Sequence, residues 1–131
     1  MTKYLILYGA IAIVFFPLDF IWLSTMGKNF YMPELGGLMR EQPNLVIAGL
    51  FYLAYIVGIV ALVAAPADGD VVKALVLGAI LGFVAYGTYD LTNLSTIQGF
   101  SPKVAMVDMA WGTTLTAVSS AAGVWISRFF A

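Results

Sequence analysis

Four apolar stretches, at about residues 4–26, 44–65, 71–97 and 104–130, occupy most of this chain, and each is long enough to cross a hydrocarbon layer about 30 Å thick. No water is present in such a layer to satisfy backbone N–H and C=O groups, so every crossing must be a helix that closes its hydrogen bonds within itself. Val and Ile, which favour strands in water, are no objection here. Hydrophobic residues make up 62% of the sequence and charged residues 10%, and the mean hydropathy is +0.96, a composition that a water-exposed surface does not carry. The predicted fold is all-α: one integral membrane bundle of four transmembrane helices, a single domain over residues 1–131.

Turn chemistry marks the boundaries. Gly27 closes the first stretch and Pro43-Asn44 opens the second; Pro66-Ala67-Asp68-Gly69-Asp70 separates the second from the third, and Gly99 to Pro102 separates the third from the fourth. The run after Lys3 passes the length of a signal-peptide core with no Ala-x-Ala site at its end, so it reads as an uncleaved first span. The longest connection, Lys28 to Gln42, mixes Phe30, Tyr31, Leu35, Leu38 and Met39 with Glu34, Arg40 and Glu41. That pattern suits either a short amphipathic segment in the headgroup plane or a plain loop. Tyr4 and Tyr8, with Trp125, Phe129 and Phe130, predict an aromatic belt at one membrane face.

Several function classes fall away. A net charge of −1 with six scattered Lys and Arg provides no basic stripe for nucleic acid. The absence of Cys and His removes disulfides, thiolate chemistry, structural zinc and imidazole catalysis, and leaves carboxylates, hydroxyls, amides and aromatics. No lysine lies mid-span to form a retinal Schiff base, and no nucleophile motif or phosphate-cradling glycine loop occurs. No metal site and no cofactor are predicted, and an enzyme is the least supported reading.

Against this background Asp19, Asp90 and Asp108 stand out, because an aspartate at a helix centre costs roughly 2.5 to 3.5 kcal/mol to insert. Successive spans alternate in direction, Asp19 and Asp90 are late in theirs, and Asp108 is early in its own. All three are therefore expected on one side of the midplane, about 8 to 12 Å from the span ends at 1.5 Å per residue. Helical spacing predicts inward rows of Phe15, Asp19, Trp22 and Met26; of Tyr86, Asp90, Asn93 and Ile97; and of Val104, Asp108, Trp111 and Leu115. Asp-x-x-Trp occurs at Asp19/Trp22 and Asp108/Trp111, where an indole N–H one turn away can donate to the carboxyl. Thr88, Thr92, Thr96, Thr113, Thr114 and Thr116 add hydroxyls to the same two spans. The predicted ligand- or proton-binding set is Asp19, Asp90, Asp108, Asn93, Trp22, Trp111 and Tyr86.

Further regularities surround this set. Asp-x-x-x-Leu-Ser-Thr occurs at Asp19 and again at Asp90, with Gly27 and Gly99 close behind, which hints at a parallel internal repeat. Pro17 leaves the Ile13 carbonyl without its helical donor and predicts a bend, a hinge or an exposed carbonyl beside Asp19. Gly78 and Gly82 form a Gly-x-x-x-Gly patch suited to close helix packing. With no Lys or Arg inside an apolar stretch, three carboxyls in one water-poor layer are expected to be largely uncharged and to share protons. A hard cation such as Na, Mg or Ca is the alternative neutraliser, and structural hydrogen bonding of neutral carboxyls a third use.

Pro17-Leu18-Asp19-Phe20-Ile21-Trp22-Leu23, Gln42-Pro43-Asn44-Leu45 followed by Phe51-Tyr52-Leu53-Ala54-Tyr55, Tyr86-Gly87-Thr88-Tyr89-Asp90-Leu91-Thr92-Asn93-Leu94 and Val107-Asp108-Met109-Ala110-Trp111-Gly112-Thr113 resemble a bacterial membrane family, domain of unknown function 2177. The resemblance spans nearly the whole chain. It implies a multi-pass protein of the bacterial inner (cytoplasmic) membrane, and it carries no activity, cofactor or catalytic residue to transfer. Size and span number also resemble the small multidrug transporters, although the residues around Asp19 do not match theirs. Lys3, Lys73 and Arg128 at one face balance Lys28, Arg40 and Lys103 at the other, so the positive-inside rule leaves the orientation open, with a cytoplasmic N-terminus as the default.

The reading that follows is binding or proton-linked translocation of a small molecule or ion. Its alternatives are a non-enzymatic accessory subunit of a larger membrane complex and a lipid- or quinone-modifying enzyme. The corresponding partners are the lipid bilayer, a small molecule, proton or hard cation, and a second copy of the chain or a larger complex.

Overall fold

A computed structural model describes residues 1–39 and 44–130, and all the secondary structure among them is helical. Arg40 and the expected second-span opening at Pro43 lie outside the described residues, as do Glu41, Gln42 and the Lys28 side chain. In chain order the helices are α1 (Thr2–Met26), α2 (Met32–Leu35), α3 (Leu45–Ala67), α4 (Val71–Thr96) and α5 (Pro102–Ser127). Of these, α1, α3 and α4 are long and apolar enough to cross a membrane.

Side-chain caps define three of the starts. Asn44, Asp70 and Ser101 adopt extended backbone and accept from the N–H groups of Ile47, Lys73 and Val104 at 3.1, 3.1 and 3.2 Å. Each such cap contributes on the order of 1 kcal/mol. The turn between α3 and α4 uses left-handed backbone at Asp68 (φ 50°) and Gly69 (φ 85°), and that between α4 and α5 uses Gly99 (φ 83°). Gly27 does not close the first helix. It keeps right-handed helical angles (φ −55°, ψ −53°), and the chain continues through a π turn, Gly27–Tyr31, into α2 before breaking at Gly36 (φ 56°). Glycine adopts either hand, and no second breaker follows Gly27 until Pro33, which is tolerated in the first turn of α2.

Why α5 falls short of the apolar threshold is plain from its place. It packs along α4 on one side and α1 on another, and it holds the longest run of buried positions, including Thr116, Ser119 and Ser120. A helix enclosed by its neighbours needs small residues where lipid-facing helices need hydrocarbon. Gly78 and Gly82 of α4 meet it backbone to backbone: a Cβ at Gly78 would lie 2.8 Å from Ser120 Oγ, and one at Gly82 would lie 2.9 Å from the Thr113 Cα. The Tyr86 ring occupies the space where Gly112 lacks a side chain, and Ile11 of α1 does the same at Gly123. The Gly-x-x-x-Gly patch is thus a packing seam.

Phe15, Ile11 and Leu7 of α1, Ile56, Ile59 and Val63 of α3, and Leu115 and Val124 of α5 form the main core. A smaller cluster at the other end joins Tyr31, Phe100, Val104 and Ala105, with Trp22 and Leu35 against them. Leu45, Val46, Ile47, Leu50 and Phe51 of α3 remain exposed, as hydrocarbon facing lipid would be. Lys3 pairs with Asp68 at 3.4 Å, which sets the start of α1 beside the α3–α4 turn. Tyr8, expected in an aromatic belt, instead donates to the Leu53 carbonyl at 3.0 Å, while Tyr4, Trp125, Phe129 and Phe130 are exposed.

Substituting Gly82→Ala forces the α4–α5 seam apart and lowers stability in detergent by about 1–3 kcal/mol. Gly49→Ala, with open space around the added methyl, leaves stability unchanged or raises it by up to about 1 kcal/mol. Thermal melts of the two variants beside the parent check the contrast.

Candidate functional site

Each predicted inward row lies on the packed side of its helix except at Ile97, which follows the end of α4 and is exposed. Asp19 is 4% exposed and Asp90 is fully buried, while Asp108 is half-buried. Asp108 Oδ1 accepts a 2.8 Å hydrogen bond from the Tyr31 hydroxyl, and that hydroxyl accepts one of 3.0 Å from the Trp22 indole. Asp19 Oδ1 accepts from the Trp111 indole at 3.2 Å, and the Tyr52 phenol lies beside it. Neither indole therefore serves the aspartate its spacing suggested: Trp111 serves Asp19 of the facing helix, and Trp22 reaches Asp108 only through the Tyr31 hydroxyl. Three positions along a helix turn the indole and carboxyl to the same side, toward the facing helix, so the Trp111 N–H reaches across to Asp19, while the Trp22 N–H is taken by Tyr31 on the turn that continues α1. Trp22 and Trp111 meet there face to face, with ring centroids 4.3 Å apart and planes inclined by 4°.

Asp90 has neither an indole nor a phenol partner. Both its carboxyl oxygens are buried without a hydrogen-bond partner among the described residues, and the group lies against Asp108. Asp90, Asp108 and Asn93 line one cavity of about 350 Å³, which is walled by Tyr31, Tyr89 and Phe100 and roofed by the segment that runs through Leu35 to Met39. Asp19, Trp22, Trp111 and Tyr86 do not line it. Asp19 stands behind Trp111, and Tyr86 rests on Gly112 with its ring 6.3 Å from that of Tyr55.

Most of the expected threonine hydroxyls are not available to the cavity. Thr88, Thr96, Thr113 and Thr114 donate to carbonyls of their own helices at 2.6 to 2.8 Å, and Thr116 bonds the Tyr55 hydroxyl at 2.8 Å. Such local bonding is the usual fate of a hydroxyl in a helix. Pro17 and Ile13 are both exposed, whereas Asp19 is buried, and α1 runs unbroken past the proline. The two Leu-Ser-Thr strings differ in setting: Gly27 continues its helix whereas Gly99 ends a turn, and Ser24, Thr25, Ser95 and Thr96 are exposed.

Tyr31 is the site residue that spacing did not reveal. It is 7% exposed and sits beyond the first span, where the π turn carries it back over Asp108. Ser101 anchors the same connection: its hydroxyl donates to Glu34 at 2.9 Å while capping α5. The available signal was an aromatic hydroxyl in a connection too short of breakers to leave the bundle. Burial, with Asp108 next to it, pushes the Tyr31 phenol above the ordinary phenol range, so it stays a donor at neutral pH.

Tyr31→Phe removes the hydroxyl that joins Trp22 to Asp108 and costs about 1–3 kcal/mol at neutral pH. Because the folded phenol is harder to ionise than the unfolded one, its contribution is complete below pH about 10 and is lost as the pH rises further. Alkaline unfolding monitored by tryptophan fluorescence is expected to be steep in the parent and shallower in Tyr31→Phe.

Residues 4–125 match the family model described as a predicted membrane protein, DUF2177. No curated protein and no solved structure matches the chain. Three membrane-capable helices agree with the family description, and the match covers all three aspartates and every residue of the cavity wall. The chain belongs to the DUF2177 family of predicted membrane proteins.

Proposed function

We propose that this chain is a four-span protein of the bacterial inner membrane whose Asp90–Asp108 recess binds a proton and exchanges it for a small molecule or ion. The fourth crossing is α5. It has 26 residues, as does α4, and packs along it, so a bilayer that contains one contains the other. At 1.5 Å per residue such a helix is about 39 Å long.

The observation that carries the reading is Asp90 itself: fully buried, unpartnered at both oxygens among the described residues, and set against a second carboxyl on the wall of a cavity. An isolated charge so placed costs several kcal/mol, and none of the described Lys or Arg side chains lines the cavity to offset it. A proton held between the two carboxyls removes that cost, and so does a ligand bearing positive charge. Asp108 Oδ1 already accepts from Tyr31, which leaves its other oxygen for the shared proton.

Difference infrared spectroscopy on protein in lipid nanodiscs tests this. At neutral pH a protonated-carboxyl C=O band is expected, and it should be lost or displaced in Asp90→Asn but kept in Asp68→Asn, whose side chain is 86% exposed. A band unaltered by both Asp90→Asn and Asp108→Asn overturns the proposal.

A further inference from the structure

Resting on the proton-exchange reading, we infer that the recess takes an amphiphilic organic cation, a substituted ammonium on a small apolar body, seated between the Asp90–Asp108 carboxyls and the rings of Tyr31, Tyr89 and Phe100. Sign comes first. The cavity wall holds two carboxyls and no cationic side chain among the described residues, so it attracts positive charge. Coordination then separates the classes of cation. Ca takes six to eight oxygens and Mg a near-octahedral set, whereas here Asp108 Oδ1 and the Tyr31 hydroxyl are bonded to each other and most of the remaining wall is aromatic or aliphatic. No group of three or more acidic side chains poised for a metal occurs among the described residues.

What the wall has in abundance is rings and hydrocarbon. Tyr89 and Phe100 stand edge to face with centroids 6.4 Å apart, and Tyr31 lines the same cavity. Ring faces attract a weakly hydrated ammonium within about 6 Å of the centroid. Leu35, Met39 and Ile97 complete an apolar lining for the body of the ligand. A volume of about 350 Å³ lies at the small end of ligand pockets, which run from about 300 to 1,000 Å³.

Exchange balances. One cation enters, the proton shared by Asp90 and Asp108 leaves, and the site keeps the same net charge. The other titratable groups facing the pair are Tyr31 from the connection, Tyr52 from α3, Tyr86 and Tyr89 from α4, and Asp19 from α1. Asp19 does not line the cavity, whereas Asp90 and Asp108 do, which makes these two the pair that yields the proton to an entering cation. Affinity for the cation therefore rises with pH, by up to tenfold per pH unit, while the pair still carries its proton.

The test uses benzyltrimethylammonium against its uncharged isostere neopentylbenzene, with purified full-length protein in a nonionic detergent. Binding is read by calorimetry and proton release by a pH-sensitive dye. The expected result is binding of the cation with about one proton released, at least tenfold weaker in Asp90→Asn and Asp108→Asn, and absent for the isostere. Ile97→Trp, at the 40% exposed rim, is expected to weaken binding while leaving the carboxyls and the infrared band intact, which keeps the test decisive if the aspartate variants fail to fold. Competition by short-chain phosphatidylcholine marks a lipid headgroup as the ammonium source, and indifference to it marks a free cation. No binding, equal binding of the isostere, or binding unchanged in Ile97→Trp overturns the assignment of ligand class. Loss of the infrared band dependence described above, measured with no cation present, is instead the failure of the proton reading.

Discussion

The contact of α4 with α5 is the constraint on which the aspartate end depends. Gly78 and Gly82 let the two backbones touch, and Gly112 makes room for the Tyr86 ring in the same seam. With no hydrophobic force between helices in lipid, close backbone approach supplies van der Waals contact that larger side chains would prevent. The same closeness fixes the rotation of both helices. Asp90 and Asp108 must then face each other at the end of the seam, near the Gly99 turn, where α1 and the first connection close over them.

Beyond the seam, the allotment of hydrogen-bond donors decides what kind of place the recess is. Two indoles and one phenol serve Asp19 and Asp108, and most threonine hydroxyls are taken by their own helices. Asp90 is left over. Among the described residues Asp19 Oδ2 and the Ser119 and Ser120 hydroxyls are also buried without a partner, but Asp90 alone lacks one at both carboxyl oxygens.

Much of this was legible from spacing alone. The all-helical fold, the four long helices and the inward rows around Asp19, Asp90 and Asp108 follow from apolar length and a period of 3.6, because those signals are repeated many times along each helix. Partners between helices were not legible. The two Asp-x-x-Trp spacings place indole and carboxyl on one face, but spacing within a helix says nothing about which group lies opposite: Trp111 bonds Asp19 and Trp22 bonds Tyr31. Tyr31 escaped for a different reason: Gly27 reads as a stop, and whether a glycine stops or continues a helix is settled by packing beyond it, here of Tyr31 and Leu35 on Phe100 and Val104. The stretch read as a fourth span forms the long helix α5, which is not among the three helices apolar enough to cross a membrane, and its enclosure gives it less need of apolar residues than its neighbours.

The parallel contact of the Trp22 and Trp111 rings limits how the bundle is able to move at this end. Flat rings pressed together resist tilting, which would open a wedge between them, but they slide past one another at little cost. Relative movement of α1 and α5 is thereby steered toward shear along the ring planes. Two hydrogen bonds cross between the helices beside that plane, from Trp111 to Asp19 and from Tyr31, on the turn that continues α1, to Asp108. A slide of one helix therefore strains both bonds in concert, so that Asp19 and Asp108, although served by different donors, feel a single mechanical displacement.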